Sequence, residues 1–434
     1  MKYSRLGVAG AAAVIAAAAL LLGGLGVRGT TNAAPAKASA ESAQLAAGFA
    51  AGDTAALVAR LQDGLRAQPS NVRGLDLLGL AYQQRARETG DPSYYGKSEG
   101  VLRRALRLAP HDLDATSGLA SLALSRHRFA LALAVGRRAL ALSPTTARNY
   151  GVVGDALLEL GRYRAAFRAF DEMARLRPGV ASYARIAYAR ELLGNLDGAR
   201  TALLLARDAA SDEREPYAWT ETQLGKLELS RGRLPAATVH LRAALRSFPG
   251  YVYALDALAQ VDAARGALRR ATVLERRAVE TIPLPQFVGL YGDLLHVTGH
   301  ERAARLQYET EDGIRQLLAA NGVRTDLETA QFDVDHGIRL RASLALARQA
   351  QHARPSIDGD DVLAWALARN GRCREALRYS KLALRLGTKD SAKLFHRAAI
   401  ERCLGGDPRP WARAALALNP HFSLLWTSTL RRLP

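Results

Sequence analysis

A regular interval of about 34 residues runs through this chain and constrains its fold more than any other feature. Evenly spaced prolines mark the interval, with Pro110, Pro144 and Pro178 in one group and Pro249 and Pro283 in another. Glycines keep nearly the same interval, from Gly161 to Gly194 and from Gly232 to Gly266. A fixed period of this length indicates one supersecondary unit copied along the chain, in which each copy buries the apolar face of its neighbour. The sequence therefore predicts a stack of units rather than a globule.

The composition favours helices over strands. Hydrophobic residues make up 49% of the 434 residues, whereas aromatic residues make up 6%. Ala and Leu dominate the apolar positions, and both are strong helix formers that allow close helix–helix contact. The alternation of β-branched and polar residues that is typical of strands is nearly absent. We therefore expect an all-α protein.

The unit is clearest over residues 147–180. Its first apolar helix carries Gly154 and its second carries Ala166, and such small residues allow two antiparallel helices to cross closely. Gly161 suits the turn between the helices, and Pro178 ends the second helix. This pattern resembles the tetratricopeptide repeat, a helix–turn–helix unit of about 34 residues. The resemblance implies a right-handed α-solenoid.

About eleven such units, in near-register, follow one another from residue 40 to residue 420. A single match would be weak evidence because the motif is degenerate, but a continuous series is strong evidence. The predicted order is a linker with a degenerate first repeat, an N-terminal block of repeats, a C-terminal block and a short tail, at residues 37–71, 72–285, 286–420 and 421–434.

The first 36 residues differ from the repeats. Lys2 and Arg5 precede an unbroken run of apolar or small residues from position 6 to position 27, and a small polar stretch follows. This order is typical of an export signal. The run is also long enough to span a bilayer as an uncleaved N-terminal anchor, which would associate the protein with the cytoplasmic membrane. Both alternatives place residues 40–434 outside the cytoplasm.

In tetratricopeptide arrays the first helix of each pair lines a concave groove, and the second helix forms the convex back. The resemblance implies that acidic and aromatic residues of the first helices face this groove, namely Asp155, Glu159, Tyr188, Glu191, Trp219, Tyr253, Asp256, Asp293, Asp335, Asp361 and Trp365. Aromatic side chains are good anchors for extended peptides. We therefore expect a non-catalytic scaffold that binds a neutral or basic segment of a protein or peptide partner in the groove. The alternative is that the acids only solvate an exposed face while the aromatic residues pack between repeats.

The chain is strongly basic, with a formal net charge of +19. The resemblance implies that arginines of the second helices point outward, at Arg103, Arg104, Arg137, Arg138, Arg164, Arg168, Arg242, Arg246, Arg269, Arg270, Arg276, Arg277, Arg374 and Arg378. A second hypothesis is therefore an adaptor that docks on an anionic surface through attraction that salt screens. Lipid headgroups, a cell-wall polymer or nucleic acid would supply such a surface, and nucleic acid is the one we expect least. A compositional bias towards Arg explains the same charge without any partner.

No catalytic chemistry is expected from the sequence. We expect no nucleophile elbow, and the chain has no Gly-x-x-x-x-Gly-Lys loop, no His-Glu-x-x-His and no Cys-x-x-Cys. A third hypothesis is a metal-handling accessory protein, since two short acidic stretches lie one repeat apart, with Asp333, Asp335 and His336 followed by Asp358, Asp360 and Asp361. A polar helix end explains the same residues. Gly299 separates His296 from His300, so these two are not expected to share a helical face or bind zinc. We predict no cofactor.

The two cysteines, Cys373 and Cys403, fall on helices that the repeat makes antiparallel neighbours. Cys373 begins a second helix, and Cys403 lies near the end of the next first helix, so the resemblance brings them close. Outside the cytoplasm such a pair can oxidise. The alternatives are a disulfide and two packed thiols.

Overall fold

The computed structural model describes residues 54–210 and 213–433, and twenty-two α-helices account for most of them. The first eleven are α1 (Thr54–Ala67), α2 (Val72–Thr89), α3 (Ser93–Leu108), α4 (Leu113–Ser125), α5 (Phe129–Leu142), α6 (Ala147–Glu159), α7 (Tyr163–Leu176), α8 (Val180–Leu192), α9 (Leu196–Ala209), α10 (Arg214–Ser230) and α11 (Leu234–Ser247). The others are α12 (Val252–Ala264), α13 (Leu268–Thr281), α14 (Pro285–Val297), α15 (Glu301–Ala320), α16 (Asp326–His336), α17 (Leu340–Ala353), α18 (Ile357–Arg369), α19 (Cys373–Ala383), α20 (Ser391–Cys403), α21 (Arg409–Leu418) and α22 (Thr427–Leu430).

Successive helices pair into hairpins, from α2–α3 to α20–α21, and each hairpin packs on the next. The second helices α3, α5, α7, α11 and α13 each end two residues before one of the regularly spaced prolines. Proline has no N–H to continue a helical ladder, and it disfavours helical geometry in the residue before it. The all-α solenoid of helix–turn–helix units that the interval predicted is confirmed.

Glycine closes the turn inside most of these hairpins. Gly161 and Gly194 have φ angles of 69° and 72°, in the left-handed region that other residues enter only at a cost. The turn between α4 and α5 is an exception, since His127 takes this conformation with a φ of 53°. Gly154, the glycine predicted at the helix crossing, lies where α6 crosses α7. A Cβ at this position would meet the ring of Phe170. The close crossing predicted at Gly154 is therefore present.

The solenoid coils back on itself, so that residues far apart in the sequence make contact. Hydrogen bonds and an ion pair join residues 190–198 positions apart, which is between five and six repeat units. We call this line of contacts the seam. It joins the hairpin turns at residues 126–128, 159–163, 192–194 and 229–232 to the loops at residues 322–324, 354–357, 387–388 and 419–420. One turn of the superhelix therefore packs edge to edge against the next.

Backbone groups, polar side chains and a buried ion pair hold the seam together. The amide of Arg324 donates to the carbonyl of Arg126 at 3.1 Å, and the amide of Ile357 donates to the hydroxyl of Tyr163 at 2.6 Å. The buried guanidinium of Arg354 contacts the carboxylate of Glu159 and also bonds Glu328, with Nη1–Oε1 at 2.8 Å. A buried charge that loses its partner is costly, so this bridge specifies which loop meets which turn.

The predicted N-terminal signal or anchor, residues 1–36, lies outside the described residues, as does the start of the first repeat. Within residues 54–210 and 213–433, no helix combines the length and the apolarity that crossing a membrane requires. The predicted boundary between two blocks of repeats near residue 285 stays a prediction.

Candidate functional site

Several predicted groove acids pair with the neighbouring first helix instead of facing open solvent. Asp155 on α6 is buried and accepts two hydrogen bonds from Arg185 on α8, at 2.9 and 2.7 Å. Asp256 on α12 is buried and lies 3.8 Å from the ammonium of Lys226 on α10. Glu159 belongs to the seam through Arg354. These carboxylates connect neighbouring repeats and consecutive superhelical turns.

The same pattern continues through the C-terminal repeats. Asp293 contacts Nε2 of His336 at 2.8 Å, and Asp361 contacts Nδ1 of His396 at 3.0 Å. Asp335 accepts a hydrogen bond from the indole of Trp365 at 2.8 Å, and both side chains are buried. Burial raises the pKa of Asp335 to about 6, although two nearby imidazoles and the indole oppose this shift.

Tyr253 packs between aromatic rings, with its centroid 5.4 Å from that of Tyr251 and 5.7 Å from that of Phe287. Eight of the eleven predicted groove residues are therefore engaged inside the repeat stack (Asp155, Glu159, Tyr253, Asp256, Asp293, Asp335, Asp361 and Trp365). This differs from the expected open acidic trough, because sequence spacing does not show that each acid has a partner on the next first helix.

The other three predicted residues, Tyr188, Glu191 and Trp219, line a cavity of about 210 Å³ beside the seam. One wall consists of α8 and α10, from the first superhelical turn. The opposite wall comes from the start of α18, from residues 388–393 and from Asn419 and Phe422, in the second turn. A space this large holds far more than one water molecule. The cavity exists only because the two superhelical turns meet.

Glu191 places a carboxyl group in the cavity without a counter-ion. Its side chain makes no hydrogen bond and no ion pair among the described residues. Burial raises the pKa of Glu191 to about 7, and the nearby charges of Asp390 and Asp358 act in the same direction while Lys393 opposes them. Glu191 also lies at the C-terminal end of α8, where the helix dipole disfavours a negative charge. The group is therefore poised between its neutral and ionised forms near neutral pH.

The other acids of the cavity are compensated. Lys393 is buried and bonds Asp358 at 2.7 Å and Asp390 at 2.9 Å. Asp390 caps α20 and also accepts the amides of Ala392 and Lys393. Burial alone would raise the pKa of Asp390, but Lys393 and these amides hold it below its usual value.

The α10 wall carries two donors without acceptors in the described part of the chain. The indole N–H of Trp219 is buried and donates no hydrogen bond. The ammonium of Lys226 makes no hydrogen bond either, and burial lowers its pKa against the opposing effect of Asp256. Leaving a buried donor unsatisfied costs about 1–3 kcal/mol. One face of α10 lines the cavity, because the lining residues Trp219, Gln223 and Lys226 are three or four positions apart.

Sequence reasoning found the α8 and α10 wall but not the opposite one. Asp390 and Lys393 carried no signal in the sequence, and Asp358 entered only as a candidate metal ligand. These residues belong to repeats far along the chain from the first wall, so no local pattern links them to it. Only the pitch of the superhelix brings the two walls together.

The candidate metal residues go to different partners. Asp333 bonds Arg339 at 2.8 and 2.9 Å, whereas Asp360 accepts from Gln351 at 3.0 Å and contacts Arg385. His296 contacts Glu301, and His300 contacts Thr298. No three His, Cys, Asp or Glu side chains within residues 54–210 and 213–433 form a group that could hold a metal ion.

Residues 96–100 spell Gly-x-Ser-x-Gly, so the motif of a nucleophile elbow is present, contrary to the expectation from the sequence. An elbow requires a sharp turn from a strand into a helix. Here the five residues lie inside α3, and Ser98 is fully buried. Its hydroxyl donates to the carbonyl of Gly79 at 2.8 Å and accepts from Gln83 at 3.1 Å. Ser98 therefore joins α3 to α2 and is not presented to a substrate.

Cys373 and Cys403 are placed as a disulfide between α19 and α20, with their Cα atoms 6.1 Å apart. This separation lies within the usual range for a bridged pair. The structure therefore has the first of the two arrangements that the sequence left open, and chemical labelling remains its test.

No protein-family model and no curated protein sequence matches this chain. Among solved structures, human IFIT1, a dimer with m7Gppp-AAAA, is 16% identical, with 76% of this chain and 77% of that chain covered and a TM-score of 0.48. A tetratricopeptide repeat protein from Parabacteroides merdae is 14% identical, with 64% and 96% covered and a TM-score of 0.42. TTC0263, a thermophilic tetratricopeptide-repeat protein of Thermus thermophilus, is 23% identical, with 43% and 98% covered and a TM-score of 0.37.

At this level of similarity, these structures say nothing about what this chain binds. Its class follows from its own features, which are the regular interval, the stacked helical hairpins and the glycines in the hairpin turns. The architecture is that of a tetratricopeptide-repeat protein.

Proposed function

We propose that this protein is a non-catalytic scaffold that binds a segment of a partner protein inside its superhelix, at the cavity beside the seam. The observation that carries the proposal is the set of polar groups there that have no hydrogen-bond partner among the described residues. They are the carboxyl group of Glu191, the indole N–H of Trp219 and the ammonium of Lys226, which lies 3.8 Å from Asp256. Nearly every other acid of the first helices named above has a partner. A bound peptide backbone supplies both acceptors and donors, so it satisfies groups of both kinds.

The arrangement favours binding over catalysis. No histidine is among the described residues that line the cavity, so its two serines have no imidazole base there, and neither of the chain's two cysteines lines it. Its walls come from helices of two superhelical turns, so an occupant would also join those turns. The apolar run at residues 6–27 supports a location outside the cytoplasm, exported or membrane-anchored, as part of the same proposal.

A cavity-filling variant tests the proposal. Ala392 lines the cavity, so Ala392→Phe should block it, whereas Ala345→Phe adds the same ring at an exposed site on α17. The full chain is applied to an array of random twelve-residue peptides, and thermal melts confirm that both variants fold. We expect the natural chain and Ala345→Phe to select the same peptides, and Ala392→Phe to lose them. Equal selection by Ala392→Phe, or no selection by the natural chain, would refute cavity binding.

A second candidate function rests on the convex face. All fourteen arginines predicted to point outward are exposed. Together they favour an adaptor that docks on an anionic membrane surface. The test is sedimentation of the full chain with phosphatidylglycerol vesicles at low and moderate salt. Binding that collapses between the two salt concentrations, and that falls when Arg276 and Arg277 become Gln, supports this function. Binding that is indifferent to both changes rejects it.

A further inference from the structure

We propose that the cavity accepts a basic side chain, Arg or Lys, of the bound segment, and that Glu191 is its counter-ion. This inference rests on the proposed function and names the chemistry of the segment. Glu191 lines the cavity and has no counter-ion of its own among the described residues. A guanidinium or ammonium group placed against it would form a charge-assisted hydrogen bond.

The charges around Glu191 support a cation. Of the charged groups that act on Glu191, two are the carboxylates of Asp390 and Asp358 and one is the ammonium of Lys393. Both carboxylates bond that same ammonium, so Lys393 is already shared between two acids. Lys389 belongs to the same loop, where it is exposed. An acidic side chain beside Glu191 would add a like charge, whereas a basic one would supply the counter-ion that Glu191 lacks among the described residues.

Two aromatic side chains flank the same space. Tyr188 lies one helical turn before Glu191 on α8, and Trp219 faces the cavity from α10. Ring faces of Tyr and Trp attract cations, and Arg most often. The unsatisfied donors of Trp219 and Lys226 then suit the carbonyl oxygens on either side of the inserted residue. In this arrangement α8 contacts the basic side chain of the bound segment, and α10 contacts the backbone of that segment.

Binding should be coupled to proton release. The titratable and charged groups that line the cavity with Glu191 are Asp358 from α18, Lys389 and Asp390 from the loop before α20, Lys393 from α20, Lys226 from α10 and Tyr188 on its own helix. Burial raises the pKa of Glu191 to about 7. A cation that binds beside Glu191 lowers this pKa again, so the complex loses a proton that the free protein holds below neutral pH. Affinity should therefore rise with pH between about 5 and 7.

Calorimetry on the full chain tests this inference with matched peptides. The probes are acetyl-Gly-Gly-Arg-Gly-Gly-amide, its Lys counterpart and its citrulline counterpart, which keeps the shape of Arg without the charge. We expect the Arg peptide to bind at least about tenfold more tightly than the citrulline peptide. Titrations at pH 6 in buffers of different ionisation enthalpy should show the release of up to one proton. Glu191→Gln should abolish both effects, whereas the exposed Glu309→Gln on α15 should retain them.

The possible failures are distinguishable. If the array peptides bind in the cavity but Arg and citrulline peptides bind equally, the assignment of Glu191 is wrong while peptide binding stands. If Glu191→Gln keeps the Arg preference and the proton release, another group is the counter-ion and the inference fails. If no array peptide binds and the Arg peptide does not bind either, both the scaffold function and this inference are wrong.

Discussion

At the residue scale, two separate features require glycine at position 194. Its φ of 72° lies in the left-handed region, and a Cβ at this position would meet the carbonyl oxygen of Gly387 across the seam. Gly266 occupies the same position in a later hairpin with a φ of 77°, but nothing lies within 4 Å of its missing Cβ. Replacing Gly266 therefore tests only the free-energy cost of the left-handed conformation, whereas replacing Gly194 adds the cost of the steric clash at the seam.

We predict that Gly194→Ala destabilises the protein more than Gly266→Ala. The alanine at position 266 should cost about 1–2 kcal/mol, the usual penalty for a side chain in the left-handed region. The alanine at position 194 should add roughly 1–3 kcal/mol, because packed backbone must shift to make room. Chemical denaturation of the two variants measures the difference. Equal losses would mean that the seam does not form in solution.

Glu191 should make stability depend on pH. Its folded-state pKa of about 7 lies above the usual value, 4.5, so the folded state holds the proton more tightly than the unfolded chain does. The resulting stabilisation is complete below about pH 4.5 and is lost as the pH rises through 7. Glu191→Gln should therefore be more stable than the natural chain at pH 8, by about 1–2 kcal/mol. Unfolding curves at pH 5 and pH 8 measure this, and a variant less stable at pH 8 would contradict it.

At the scale of elements, polar pairs repeat between consecutive first helices. Asp155 pairs with Arg185, and Asp335 pairs with Trp365, so the two pairs have the same separation along the chain. One repeat unit thus supplies the partner of a group in the previous unit. This is the nearest-neighbour coupling expected of a solenoid, expressed in polar contacts as well as in apolar packing.

The bridge between α19 and α20 gives a prediction at this scale. It joins residues 30 positions apart, and closing a loop of that length should stabilise the protein by about 3–4 kcal/mol through the unfolded state. Reductant should therefore lower the unfolding midpoint of the natural chain but leave the Cys373→Ala, Cys403→Ala double variant unchanged. Alkylation under denaturing, non-reducing conditions is the independent check. Full labelling of both cysteines would exclude the bridge.

At the scale of the whole molecule, the seam holds consecutive superhelical turns together. Arg354 is its one described cation that bridges two carboxylates, Glu159 on one superhelical turn and Glu328 close to the loop on the other. Burial lowers the pKa of Arg354 in isolation, but these two carboxylates raise it well above its usual value. Replacing this side chain with an apolar one leaves the buried carboxylate of Glu159 without its cation and takes the bonded guanidinium away from Glu328.

We predict that Arg354→Met loosens the seam and lengthens the protein in solution. Small-angle X-ray scattering should show a larger radius of gyration, and the cavity should lose its peptides because its two walls separate. Arg348→Met is the matched control, since Arg348 is exposed on α17, the helix that ends just before Arg354, and lies 3.5 Å from Glu375. An unchanged radius of gyration in a folded Arg354→Met variant would show that the seam does not depend on this bridge.

The sequence alone determined the repeat, the helical hairpins and their turns. Proline and glycine act through their own backbone restrictions, so at the regular interval Pro178 indicates a helix end and Gly161 indicates a turn. The first helices could be recognised in the same way, and with them Tyr188, Glu191 and Trp219. These are local properties, and the regular interval repeats them often enough to be read without a structure.

The tertiary structure alone decided which of those residues share a site. Whether Asp155 is free depends on Arg185 in the next repeat, and whether Glu191 faces a cavity depends on Asp358 and Lys393 in the other superhelical turn. Small rotations between neighbouring repeats add up along the solenoid and set the distance at which one turn meets the next. No single residue encodes that sum, so the seam and the cavity appear only in the folded chain.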